Sequence, residues 1–325
     1  MDREPMTRER SELITGLISM VIAEKEPAVE FSEEELKEAK ASFTNEELEI
    51  LREQGFLQED FETFLTVQWF VDALELETVA DETYIRQFFK NAKKFDINWF
   101  YDNKYIREIR VPHKKIGNFQ LGEATYQKGE FFQYDFPDVS TAPVVPKVGF
   151  FNEAITFPSI YEGVTPWMSV CPSEIFSMKE PIDQAHGRVL VLGLGLGYYP
   201  FMISQKESVK EIVIVERQKE VIELFNKYLL PQFNQKEKIR LVQADAIAYM
   251  DSIKEDEGYA ADDGGRFDFC FADIWENQVD GAKAYRKIQP HEVRLPRTEF
   301  AYWIEASIQQ QIRLEDEEVE GWNNY

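Results

Sequence analysis

His186-Gly-Arg-Val-Leu-Val-Leu-Gly-Leu-Gly-Leu-Gly-Tyr-Tyr-Pro200 decides the fold class of this 325-residue chain. An apolar run, Arg188 to Leu192, reads as a strand buried on both faces. It ends in three alternating glycines, Gly193, Gly195 and Gly197, which let backbone approach a ligand closely. A helix pattern follows, with Pro200 in its first turn, where the missing N–H is no loss. Outward from this unit, strands and helices alternate. Strand two is Glu211 to Val215. The next helix carries Val221, Leu224, Phe225, Tyr228 and Leu229 on one face and ends at Pro231. Strand three is Lys238 to Val242, followed by a short helix from Ala246 to Ile253. A polar loop, Glu255 to Gly265, leads to strand four, Phe267 to Ala272. This alternation predicts an α/β fold, a Rossmann-like parallel sheet with flanking helices.

Beyond strand four no fifth strand is recognisable. Gly281 to Gln289 reads as helix, and Phe300, Trp303, Ile304, Ser307, Ile308 and Ile312 have helical spacing. Glu315 to Glu320 reads as an acidic, solvated or disordered tail. The sheet is therefore expected to be truncated after strand four, leaving that strand an exposed edge unless another element or subunit covers it.

Upstream, the first hundred residues read as helical. Ser32 with Glu35, and Thr44 with Glu47, are capping boxes. Phe61, Phe64, Leu65 and Trp69 follow an i, i+3, i+4 pattern, and Thr83 to Lys94 reads as a further short helix. From Trp99 to Gly163, short aromatic and β-branched runs broken by Gly and Pro predict hairpins. A loop and a helix from about Ser173 to Ala185 then lead into strand one. The resulting division is a helical region over 1–98 and a small antiparallel β unit over 99–165. The Rossmann-like domain covers 166–313 and the acidic tail 314–325.

Three acids fall at strand ends. Glu216 ends strand two, where a carboxylate can accept both hydroxyls of a ribose; it equally suits a helix N-terminus. Asp245 follows strand three, able to accept an adenine amino group beside Ala246 and Ile247, or to cap the next helix. Asp273 ends strand four and could serve as general base or position an amine, or cap a helix. Trp275 suits a pocket wall, a cation platform or the core. The dinucleotide fingerprint is G-x-G-x-x-G. Here the third glycine comes one position early and Tyr198 stands in the fingerprint's place, which disfavours a pyrophosphate. The G-x-G-x-G form is that used for S-adenosylmethionine.

On Val189 to Gly197, Val213 to Glu216, Val221 to Leu230, Val242 to Ala246 and Phe267 to Asp273, the chain resembles the class I S-adenosylmethionine-dependent methyltransferases, and within them the spermidine synthase branch. A β unit before the nucleotide domain, joined by a loop and an acid-bearing helix start at Glu174, matches that branch. The resemblance implies S-adenosylmethionine as cofactor. It puts Gly193, Gly195 and Gly197 at the methionine end, Glu216 and Arg217 at the ribose, and Asp245 and Ala246 at the adenine. Asp273 then stands both at the cofactor and as the catalytic aspartate that helps remove a proton from an attacking amine. Trp167, Glu174 and Trp275 are its substrate-pocket candidates. The family's Asp-Ser-x-Asp-Pro continuation is Asp273-Ile-Trp-Glu-Asn277 here, which puts diamine binding in doubt. Three readings stay open. They are methyl transfer to an unidentified acceptor, aminopropyl transfer to a polyamine, and a non-catalytic module associating through its N-terminal helices, with a homodimer compatible with any of them. NAD-dependent hydride transfer ranks last, on account of Tyr198.

A net charge of −24 repels phosphate backbones, so no nucleic-acid partner is expected; small-molecule or polyamine-like substrates suit it better. No apolar run approaches the roughly 20 residues of a membrane span. Met1 to Glu4 is mixed in charge and reads as no signal peptide. Two cysteines, Cys171 and Cys270, fit a reduced cytoplasmic setting without disulfides. The three histidines share no ligand spacing, so no metal is expected.

Overall fold

The computed structural model describes residues 6–24, 29–58, 60–138, 140, 142–253 and 267–323, with only the backbone described over 317–323. The loop expected over Glu255 to Gly265 and the N-terminal Met1 to Glu4 lie outside the described residues. The chain divides into two units. Unit 1 comprises 1–100 and 125–156; unit 2 comprises 101–124 and 157–325.

Unit 2 is built on a five-stranded parallel sheet. Its strands are β1 (Gly187–Leu192), β2 (Val209–Glu216), β3 (Ile239–Gln243), β4 (Phe269–Ala272) and β5 (Glu299–Tyr302), in spatial order β3-β2-β1-β4-β5. Val189 to Leu192, Ile212 to Val215 and the whole of β4 are buried, because helices cover both faces. The order reverses between β1 and β4. Open α/β sheets bind ligands at such a switch point, beyond the strands' carboxyl ends. The register aligns those ends: Leu192 pairs with Val215 and Ala272, Gln243 with Glu216, and Ala272 with Tyr302. Gly193, Glu216, Asp245 and Asp273 therefore line one edge.

The helices serving this edge are α1 (Pro172–Ser177), α2 (Tyr198–Ser204), α3 (Lys219–Leu224), α4 (Ala246–Ser252), α5 (Gln278–Arg294) and α6 (Glu305–Asn323). Asn277 caps α5, accepting from the N–H groups of Val279 and Asp280 at 3.0 and 3.1 Å. Arg294, in its last turn, donates to the carbonyls of Met250 and Ile253 and so ties down the end of α4.

Three expectations are corrected. The sheet is not truncated after strand four: β5 pairs in parallel with β4 over four residues, so β4 is interior. Phe300 belongs to that strand, and the helical spacing read from it begins only at Glu305. The acidic stretch Glu315 to Glu320 is helical rather than a disordered tail. Arg286 holds its start by ion pairs to Glu315 and Asp316. Finally, the single helix expected over Ser173 to Ala185 is two, Pro172–Ser177 and Lys179–Gln184, parted at Met178. Pro181 has no N–H to bond the turn before it, so a continuous helix would lose a hydrogen bond there.

Unit 1 holds the helices Arg8–Ala23, Glu33–Ala41, Asn45–Glu53, Phe61–Ala73 and Glu82–Asn91. Both capping boxes form as read. Strands Lys93–Phe95, Lys147–Phe151 and Phe132–Asp135 make a small sheet with the second strand central. Its core is aromatic: Phe70 stacks on Phe88 at 5.7 Å and contacts Phe131 at 4.2 Å. A four-stranded sheet, in unit 2 except for residues 125–126 and 155–156, joins two antiparallel pairs, Lys114–Ile116 with Phe119–Tyr126 and Ile155–Glu162 with Thr165–Ser169. Among the described residues no helix is long and apolar enough to cross a membrane.

Candidate functional site

The glycine turn leaves β1 with its backbone left-handed at all three glycines, φ being +100° at Gly193, +51° at Gly195 and +74° at Gly197. The three are not equivalent. A Cβ on Gly193 would lie 2.0 Å from the carbonyl oxygen of Asp273, and one on Gly197 would lie 2.4 Å from the ring of Phe225. At Gly195 the nearest atoms belong to the flexible Met168 side chain, 3.2 Å away. Gly193 and Gly197 thus serve internal packing. Gly195 keeps the crest of the turn low.

Glu216 holds this turn. Its two carboxylate oxygens accept from the N–H of Leu194 at 3.2 Å and of Gln218 at 2.7 Å. The side chain is buried, and burial leaves its pKa raised, offset only in part by the backbone N–H groups of Gln218, Leu194 and Arg217 and by the Arg217 charge. Each oxygen keeps a second lone pair. Arg217 itself is exposed. Asp245 caps α4: its Oδ1 accepts from Ile247 and Ala248, both at 3.0 Å, and its side chain is exposed beside the buried Ala246.

At the switch point two carboxyls are electrostatic neighbours, Glu174 and Asp273. The Asp273 backbone N–H bonds the Leu192 carbonyl at 2.9 Å, and its own carbonyl abuts Gly193. Glu174, on α1, is only 8% exposed. Burial pushes its pKa well up and the neighbouring Asp273 charge pushes it further. Burial raises Asp273 to about 7. Among the described residues no base pairs with either acid and no donor reaches either carboxyl.

Sequence distance hides how α1 comes to this place. The indole N–H of Trp303 donates to Ser177 Oγ at 2.9 Å, while the Trp303 backbone N–H bonds the Ala272 carbonyl at 3.0 Å. Ser177 in turn donates to the Glu174 carbonyl at 3.2 Å. One tryptophan thus ties the helix of Glu174 to the strand of Asp273. Trp303→Phe keeps an aromatic ring but deletes the indole N–H and part of the packing volume, and is expected to lower stability by about 1–2 kcal/mol in equilibrium urea unfolding. Ser177→Ala should cost about the same, and the double variant little more than either.

Tyr198 is buried against Tyr105, ring centroids 5.5 Å apart, and its hydroxyl accepts from Asn103 Nδ2 at 3.1 Å. The steric case against a dinucleotide therefore does not rest on a ring standing over the turn. Burial raises the Tyr198 pKa to about 12, with the Glu174 charge adding to it. Trp167 is half-buried, edge-on to Phe119 at 5.3 Å, one residue from the Met168 that faces Gly195. Trp275 stacks on Tyr302 beside Gly281, and its buried indole N–H has no partner among the described residues. It sits in the packing under α5, which is the core role open to it from sequence. Residues that sequence reading missed are Met168, Ser177, Trp303 and Asn103. None stands in a motif, and only the fold brings them to the site.

No family model and no curated protein sequence matches the chain. Among solved structures, the crystal structure of spermidine synthase from Thermotoga maritima is similar at 14% identity, with a TM-score of 0.33. The match covers 49% of this chain and 60% of that one, so it spans less than two thirds of that enzyme. A likeness at this level carries no argument. The α/β class rests on the strand order and register of unit 2.

Proposed function

We propose that unit 2 binds S-adenosylmethionine or its decarboxylated form and transfers an alkyl group to a nucleophile. The observation that carries the reading is the single carboxyl edge. Along it, a glycine turn covered at Gly195 only by the flexible Met168 side chain is followed by an acid at the end of β2, a second after β3, and two acids at the β1/β4 switch point. These residues suit an adenosyl donor. Gly195 gives the methionine end room, the spare lone pairs of Glu216 suit ribose hydroxyls, and the exposed Asp245 suits the adenine amino group beside Ala246. When bound, such a donor supplies an electrophilic carbon on a sulfonium. The chain's own residues hold the acceptor in line, exclude water and take its proton; positioning supplies much of the rate.

Methyl transfer is the first reading. Aminopropyl transfer is favoured by one observation, the uncompensated acid pair at the reactive end. Two carboxyls there repel the carboxylate of S-adenosylmethionine and attract the amine of the decarboxylated donor.

Calorimetric titration of the full chain with S-adenosylmethionine, S-adenosylhomocysteine, decarboxylated S-adenosylmethionine and NAD tests this. Binding of the first two is expected under methyl transfer, and preference for the third under aminopropyl transfer. Glu216→Gln should weaken binding by about tenfold or more, since a buried acceptor is replaced by an amide. NAD binding alone, or no binding at all, overturns both readings.

A further inference from the structure

We infer that Met168 is a gate on the donor site, a side chain that lies over the crest of the glycine turn and must turn aside before the methionine end of a donor can settle there. The inference rests on the transferase reading for its ligand; its basis is side-chain geometry. The three atoms nearest a Cβ built on Gly195 all belong to Met168: Sδ at 3.2 Å, Cε at 3.3 Å and Cγ at 3.5 Å. The room that glycine leaves at this crest, where backbone can approach a ligand closely, is therefore taken by one thioether. The other two glycines of the turn face groups that cannot leave, the Asp273 carbonyl and the Phe225 ring.

The strand that carries Met168 is built to aim it. Where Ile155–Glu162 pairs with Thr165–Ser169, Ser159 faces Ser169, Ile160 faces Met168 and Tyr161 faces Pro166, so Trp167 is an extra residue opposite the Ile160–Tyr161 step. Such a bulge re-aims the side chains beside it. Past the bulge the chain is pinned. The hydroxyls of Ser159 and Ser169 lie 2.7 Å apart, and the Val170 N–H bonds the Pro158 carbonyl at 2.9 Å. Trp167 itself packs edge-on to Phe119 at 5.3 Å. The backbone and its neighbours are thus held, while Met168 is half-buried and rotates about three side-chain bonds. A donor binds only during the fraction of time that the crest is uncovered, so its apparent dissociation constant is the intrinsic one divided by that fraction. An uncovered fraction of about 0.1–0.3 weakens binding by about three- to tenfold.

Two variants and one spectrum of the full-length protein test the gate. Met168→Ala removes the cover. In calorimetry it should bind S-adenosylmethionine or the decarboxylated form, whichever the wild type prefers, about three- to tenfold more tightly than the wild type does. Met168→Ile keeps the bulk on a stiff, β-branched side chain that suits a strand, and should weaken binding by about tenfold. Binding by Met168→Ala that is weaker than or equal to that of the wild type overturns the gate. Should a variant not fold, the wild type decides. With methyl-13C methionine, the Met168 methyl should show a nuclear Overhauser contact to the Gly195 α-protons that disappears once donor saturates the protein. A contact absent from the outset, or one that persists at saturation, overturns the gate. Failure of the transferase reading looks different. If neither the wild type nor Met168→Ala binds any adenosyl donor, that reading falls and the gate with it; if both bind one equally well, the gate alone falls.

Discussion

Gly193→Ala is expected to lower the stability of the protein by about 3 kcal/mol or more, whereas Gly195→Ala is expected to lower it by about 1 kcal/mol. Both glycines have positive φ, so both substitutions carry the strain of a left-handed L-residue. The difference lies in what the new methyl meets. At Gly193 it meets the Asp273 carbonyl oxygen at 2.0 Å, on a strand that cannot retreat without breaking its bond to Leu192. At Gly195 it meets the end of a methionine, which can turn aside. Thermal unfolding should separate the two by several degrees. Donor binding should rank them differently. A residue larger than alanine at Gly195, such as Val, should abolish binding by filling the crest of the turn while the fold survives. Equal melting temperatures for the two alanine variants would sink this account of the turn.

Asp273→Asn is expected to make the protein more stable and far less active. Burial holds the Asp273 carboxyl near pH 7 in the folded chain, well above the usual carboxylate range. The folded state therefore binds this proton more tightly than the unfolded state. The resulting stability is fully present below about pH 4 and is lost as pH rises toward about 7. An amide never ionises, so it escapes that loss. At pH 7.5 Asp273→Asn should gain roughly 1–3 kcal/mol, and the slope of melting temperature against pH between about 4 and 7 should flatten. Turnover of an adenosyl donor should fall by about 10²–10⁴-fold, the range for loss of a general base. A variant that loses stability at pH 7.5 would show that Asp273 is ionised and compensated in the folded chain, which overturns this account.

The first, second and fourth strands were legible because each is an apolar run buried on both faces; the third, Ile239–Gln243, is a half-exposed edge strand, read from its place in the alternation. The fifth was not. Glu299-Phe-Ala-Tyr302 is four residues long, and Trp303, Ile304 and Ile308 behind it carry the helical period that swallowed it. What makes it a strand is its pairing with β4, a tertiary fact. The glycine turn and the acids at strand ends could be listed from the chain, because strand ends locate the functional edge of such a sheet. Their actual bonds could not. Whether Asp245 caps a helix, and which backbone groups Glu216 holds, depends on loop paths. The nearness of Glu174 to Asp273 depends on Trp303, a residue that the missing strand had hidden. Trp275, for which a pocket wall, a cation platform and the core were all open, packs beneath α5, where Gly281 leaves room for it.

The strand order also sets a timetable for the nascent chain. The middle of the sheet, β1, leaves the ribosome before any of its neighbours, while β5 emerges after all of them. Until residues 299–303 clear the exit tunnel, the outer edge of β4 offers unpaired N–H and C=O groups to any passing strand. In that interval Ser177 also lacks its tryptophan. That corner comes under a fixed grip only once β5 has emerged, so a chain stalled before β5 would present an open sheet edge to chaperones with the corner unformed.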